Sequence, residues 1–235
     1  MEVVNNKTEN PIRIYQEKFR EMDPQQMAKR SGCEFRDSAF EIQLMNRRVK
    51  LTFPEMETFY VDEPGTADSK TVDSVGISTA DSKTSDGVGV KTADNVRILL
   101  ARYVMEGVQA ESSGKMYSYP EMPWGQVYEV QFRGRCISRM AGTYGHNIKG
   151  FIEGMEKIGA KEAREVSGRF ASGADCAYDI PFLPKLTIRA LIWEADEEFP
   201  ASAQILFSDN FPLAFTAEDM AVIGDIFLNA MKGKC

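Results

Sequence analysis

The chain reads as an α+β protein: a mainly antiparallel sheet flanked by helices, in a single domain with a disordered repeat insertion. Three patterns predict this. Helical apolar spacing occupies both ends of the chain and two stretches in its middle. Apolar–polar alternation occupies residues 40–53 and much of the last third. No strand–helix–strand alternation calls for a parallel sheet. The 235 residues, 43% hydrophobic, carry enough apolar surface to bury one core.

The elements follow in order. Ile12, Tyr15, Phe19 and Met22 share a helix face, with Pro11 in the first turn. A second short helix starts at Pro24, with Asp23 as N-cap, Gln26 at the capping-box position and Gly32 as its stop. Phe40, Ile42 and Leu44 alternate, as do Val49, Leu51 and Phe53, which predicts a hairpin around Asn46–Arg48 with one apolar face. Val96, Leu99, Leu100, Tyr103, Val104 and Val108 form a helical stripe. Met116–Gly125, with two prolines and Trp124, reads as a structured loop, and Val127–Phe132 as either a strand or the lead-in to a helix. Residues 137–158 predict a long helix carrying Gly142, Gly145, Gly150 and Gly154, which requires either a break near Gly142–Gly145 or very close packing. Strands follow at Cys176–Phe182, Leu186–Trp193 and Ala203–Phe207, and Thr216-Ala217-Glu218-Asp219 caps a last helix.

A tandem repeat interrupts this order. Thr66-Ala67-Asp68-Ser69-Lys70-Thr71 returns 13 residues later as Thr79-Ala80-Asp81-Ser82-Lys83-Thr84, and Thr92-Ala93-Asp94 opens a third copy. Residues 62–95 hold seven acids, three bases and no aromatic residue. Known solenoid repeats are longer than this, and so polar a segment cannot bury a core of its own, so 62–95 is expected to be a mobile loop inserted in the domain. A small hairpin built on the Val-Gly-Ile and Val-Gly-Val runs is the alternative.

Charge narrows the function classes. The net charge is −7 and the pI about 5.0, with no basic block, which argues against nucleic acid or an anionic membrane as partner. No apolar run is long enough to span a membrane, and the first residues lack a secretory pattern, so a cytoplasmic protein is expected. Cys33, Cys136, Cys176 and Cys235 are too scattered for a local zinc or iron–sulfur ligand set and are expected as free thiols. The single histidine, His146, follows a glycine and reads as a surface or capping residue more readily than as a base.

One window stands out. From Glu194 to Asp225 there are eight acids and no lysine or arginine. Asp196 and Glu198 would share one side of an extended chain, with Glu197 on the other, and Trp193 and Phe199 bracket the turn. Such carboxylates could hold a hard cation or move protons, whereas a solvated turn needs none of that chemistry. Arg189 is expected to pair with an acid across the hairpin.

The run Asp175-Cys176-Ala177-Tyr178-Asp179-Ile180-Pro181-Phe182-Leu183-Pro184-Lys185-Leu186, then Trp193-Glu194-Ala195-Asp196-Glu197-Glu198-Phe199-Pro200-Ala201-Ser202-Ala203 and Ile205-Leu206-Phe207, resembles the signature of an uncharacterised family, the domain of unknown function numbered 3786. Met27-Ala28-Lys29-Arg30-Ser31-Gly32, the following hairpin and the capped last helix fit the same pattern. Two features depart from it. The family's Leu-Phe is usually followed directly by Asp, whereas Ser208 stands between Phe207 and Asp209 here; and the four-cysteine iron–sulfur module of some relatives is missing. The resemblance implies a setting in anaerobic bacteria and archaea, with a hint toward cofactor or one-carbon metabolism, and no established reaction.

These readings set three expectations. The first is a non-catalytic domain that binds a small molecule, a cofactor of unknown type or a protein partner, at a site near Asp175, Trp193, Asp196, Glu197 and Glu198. The second is a carboxylate-based enzyme using Mg²⁺ or Ca²⁺ at the same turn. The third is an assembly partner that docks through the acidic face. Oligomeric state is left open.

Overall fold

The computed structural model describes residues 11–61, 90–163 and 173–233. Most of the predicted insertion, residues 62–89, lies outside them.

Helix α1 spans Pro11–Glu21 and α2 Pro24–Ser31. Asp23 caps α2 by accepting from the Gln25 amide at 2.9 Å, and Gly32 ends it in the left-handed conformation. Strands β1 (Glu34–Arg36), β2 (Ala39–Leu44), β3 (Arg47–Thr52) and β4 (Thr58–Tyr60) form an antiparallel sheet in that order. Phe40 sits opposite Leu51 and Ile42 opposite Val49, so the alternation read from the sequence becomes one buried face.

The third copy of the repeat differs from its expectation as loop. Tyr60 donates its amide to Val90 O, Thr92 donates to Thr58 O, and the Lys91 ammonium lies 2.6 Å from a Glu57 carboxylate oxygen. The two threonine hydroxyls, Thr58 and Thr92, bond to each other in the interior. Residues 90–92 therefore extend the edge of β4, and Asp94 opens helix α3 (Asp94–Glu106). Composition made this stretch look like its upstream copies, but β4 offers unpaired backbone groups that these residues satisfy.

The second half builds a five-stranded antiparallel sheet. Its strands are β5 (Met116–Ser118), β6 (Lys161–Glu162), β7 (Cys176–Leu183), β8 (Leu186–Trp193) and β9 (Ser202–Ser208), in the order β5-β9-β8-β7-β6. Helix α4 (Gly125–Phe132) runs through a π-helical segment, Arg133–Ser138, into α5 (Arg139–Tyr144). Val127–Phe132 is thus helix, and the predicted helix over 137–158 is broken. Chain direction changes at Gly145–Asn147, and α6 (Ile148–Lys157) restarts with the Asn147 side chain accepting from Gly150 N. Helix α7 (Ala217–Met231) opens on the predicted cap: the Thr216 amide and hydroxyl both donate to Asp219 Oδ2.

One continuous apolar core joins the two sheets and the helices. Tyr178, Ile180 and Phe182 of β7, Ile188, Ala190 and Ile192 of β8, and Ile205 and Phe207 of β9 point into it. Two polar links tie the β2–β3 turn to the second half: Met45 N donates to Phe182 O of β7 at 2.9 Å, and the Asn46 side-chain amide donates to Lys157 O of α6 at 2.6 Å. The inward face of the larger sheet is thereby committed to packing, which leaves its outward face for other work.

Candidate functional site

Asp175 and Trp193 meet at one end of the β7–β8 pair. The Asp175 carboxylate accepts from Glu194 N at 2.7 Å, and its own amide donates to Ile192 O. Asp196 closes a turn on itself, its Oδ1 accepting from Glu198 N at 2.8 Å and Phe199 N at 2.6 Å. This is the local side-chain-to-backbone bonding that favours Asp in turns. Glu197 and Glu198 are exposed. The acidic turn therefore groups these residues along the chain, with Asp175 and Asp196 each accepting from backbone amides. Asp196 is engaged by its own backbone, and none of the five lines the hollows described next.

Trp193 leads to a different surface. Along β8 the outward residues are Thr187, Arg189, Leu191 and Trp193. Leu191 packs with Ala177 of β7 and Leu206 of β9 in a small buried cluster, against which Trp193, Met116 and Ala163 lie partly buried. One step further along the strands the outward row turns polar. Register places Lys161, Asp179, Arg189 and Leu206 side by side on β6, β7, β8 and β9.

Arg189 is the centre of that row. Its Nε donates to Asp179 Oδ1 at 2.6 Å and its Nη2 to Asp179 Oδ2 at 2.8 Å, a bidentate pair. The arginine side chain is only 14% exposed. The Asp179 hydrogen bonds, more than anything else, raise the arginine pKa, so the guanidinium is locked in its charged form and in one orientation. The partner anticipated from the sequence was an acid of the turn between β8 and β9. Pairing with β9 instead brings Leu206 opposite, and the acid comes from β7.

Two hollows adjoin this guanidinium. One, about 470 Å³, is walled by Lys161, Glu162, Ala163, Asp179 and Pro181 as well as Arg189. The other, about 270 Å³, is formed by Gly114–Tyr117 and again Arg189. Among the described residues the Lys115 and Lys161 ammonium groups have no ion-pair partner. The rim of the smaller hollow is held by Asp209. It accepts from the Ser112 hydroxyl at 2.6 Å and the Ser113 hydroxyl at 2.5 Å, and its own amide donates to Lys115 O. Those hydroxyls, Ser112 first, keep the Asp209 carboxyl below its ordinary range. The sequence contained one signal for this site, a lone arginine in the outward series of an apolar strand, but its partner became visible only with the register.

Among the described residues, no group of three or more His, Cys, Asp or Glu side chains is gathered closely enough to hold a metal ion. No helix among them is long and apolar enough to cross a membrane. Cys33, Cys136 and Cys176 are free thiols.

Fold and surface together define an α+β protein whose larger sheet buries one face and presents a charged, hollowed second face. A family model described as a domain of unknown function, DUF3786, matches residues 70–230, and the chain belongs to this family. The match takes in the whole five-stranded sheet and most of α7; α1, α2 and the four-stranded sheet precede it. No curated protein and no solved structure matches the chain.

Proposed function

We propose that this protein is a non-catalytic binding domain, and that its ligand is a small molecule bearing an anionic group, held on the outward face of the five-stranded sheet. One observation carries this reading: Arg189, largely buried and fixed by two hydrogen bonds to Asp179, borders both hollows on that face. A guanidinium already immobilised loses little further freedom on binding, which favours affinity. Lys161 and Lys115 flank it, their ammonium groups without an ion-pair partner among the described residues, and the larger hollow falls within the range of small-molecule sites. Trp193, at the far end of the same outward row, adds aromatic surface next to the Asp175 and Asp196–Glu198 segment predicted from the sequence.

The test is a thermal-shift screen of carboxylates and phosphate esters on wild type, Lys161→Ala, Arg189→Gln and Asp196→Ala. A compound that stabilises wild type, but neither Lys161→Ala nor Arg189→Gln, supports the site. Loss of the response in Asp196→Ala alone would move the site to the acidic turn. Equal responses in all four proteins would overturn both placements.

A further inference from the structure

A third hollow, of about 500 Å³, lies on the opposite half of the fold, where α1, α2 and α3 meet. Lys18 and Glu21 of α1, Arg30 of α2, and Arg102 and Glu106 of α3 supply its charged groups; Tyr15, Met22 and Met105 supply apolar wall. The two arginines differ sharply. Arg102 is fully engaged: its Nη1 donates to the Tyr15 hydroxyl at 3.0 Å and pairs with the Asp219 carboxylate, and the guanidinium lies over the Tyr15 ring. Arg30 is not. Its Nε is buried without any acceptor, and among the described residues its guanidinium forms no ion pair, although Glu21 and Glu106 border the same hollow.

A buried donor left without an acceptor costs about 1–3 kcal/mol, so such a group calls for an explanation. Poor anchoring is not that explanation. Gly107, which ends α3 at φ 75°, lies so close to Arg30 that an added Cβ would stand 2.6 Å from the Arg30 Cβ and 2.7 Å from its carbonyl. Next to it, the Tyr103 hydroxyl lies 3.1 Å from Ser31 O. The backbone that carries Arg30 is held on both sides, while its head group has no ion-pair partner among the described residues.

We infer that this hollow binds a small organic anion, a phosphate or carboxylate group on an apolar or aromatic body. Arg30 takes the oxyanion, Lys18 adds charge from the rim, and the Tyr15–Met22–Met105 wall receives the body. Planar, forked guanidinium donors suit both oxyanions, and with Arg102 held by Asp219 it is Arg30 and Lys18 that are left to meet an anion. The α1 and α2 contributions, Arg30 and Lys18 among them, precede the matched family segment, while the α3 wall lies within it.

Isothermal titration of the full chain with phenyl phosphate, benzoate, inorganic phosphate and benzyl alcohol tests this. The expected result is binding of phenyl phosphate or benzoate, weaker binding of inorganic phosphate and none of benzyl alcohol. Arg30→Gln should weaken the aryl anion about tenfold or more, equivalent to about 1.4 kcal/mol, and Glu21→Gln should strengthen it. Should Arg30→Gln fail to fold, Lys18→Glu on the exposed rim carries the test and should weaken binding. Lys161→Ala should leave this affinity unchanged, which separates the site from the one on the sheet. No heat at millimolar anion, or an affinity indifferent to both Arg30→Gln and Lys18→Glu, would overturn the inference.

Discussion

Gly145 and Ala201 meet so closely that a Cβ added at Gly145 would lie 2.0 Å from the Ala201 Cβ. Ala195 N also donates to Gly145 O at 3.0 Å, so the acidic turn that leaves β8 is bound back onto the end of α5. The glycine serves as both break and contact, the two roles that the sequence left as alternatives. Gly145→Ala should therefore lower stability by about 1–3 kcal/mol, the usual cost of overpacking. Gly142 has open space where its Cβ would go, and Gly142→Ala should be neutral or raise stability by up to about 1 kcal/mol. Urea unfolding of both variants checks the contrast; equal midpoints would show that the turn yields without cost.

Trp124 carries its own strain. It holds φ 63° and ψ 5°, the left-handed region, and its indole is 79% exposed. The conformation is enforced next door, where a Cβ on Gly125 would stand 1.8 Å from Tyr119 O. For a bulky residue this geometry costs about 1–2 kcal/mol, and solvent returns little packing. Trp124→Asn, which tolerates the region, should raise the urea midpoint by the equivalent of about 0.5–1 kcal/mol without altering the slope. A lower midpoint would mean that the indole contributes more than its exposure indicates.

Asp209 gives the protein an acid-sensitive clasp. Hydrogen bonds from Ser112 and then Ser113 depress its carboxyl, so the folded pKa lies below the unfolded one. That contribution is present above the unfolded value, near about 4, and is lost as pH falls through the lower folded value. Asp209→Asn should be less stable than wild type at about pH 6, and the gap should shrink toward about pH 2–3. Denaturant titrations at both pH values measure it. A constant gap would indicate that the clasp acts through shape and not charge.

What could be read in advance follows the range of the interaction. Asp23, Thr216 and the alternation through β7, β8 and β9 act on chain neighbours or set a period, and each falls where its pattern placed it. Arg102 and Asp219 are far apart in sequence, as are Arg30 and Gly107, and no local pattern links either pair. Repetition misled at Thr92-Ala93-Asp94, because identical composition met a different environment beside Thr58 and Glu57. It follows that a deletion meant to remove only the repeat must stop before Val90, since Lys91 is bound to Glu57. The acidic turn shows the same limit of local reading. Acids crowd together there in sequence, but Asp196 serves its own backbone, while the cationic residues that border hollows are dispersed along the chain.

Cys136 lies in the π-helical segment and is wholly buried, with Gly224 of α7 packed against its sulfur. Burial, reinforced by Asp225 and opposed by Arg135 and Arg139, pushes its thiol up to about 12. Only the thiolate is nucleophilic, so at about pH 8 the native residue should resist iodoacetamide on grounds of both access and ionisation. Cys33, buried and raised for the same reason, should behave alike, while the partly exposed Cys176 should react before either. Labelling followed by peptide mapping across a urea series checks this. Modification of Cys136 should track global unfolding, because α4, α5 and α7 must separate to release it. If it is labelled alongside Cys176 in the absence of denaturant, the π segment opens locally, and its irregular hydrogen bonding, not the sheet, sets the weakest point of the core.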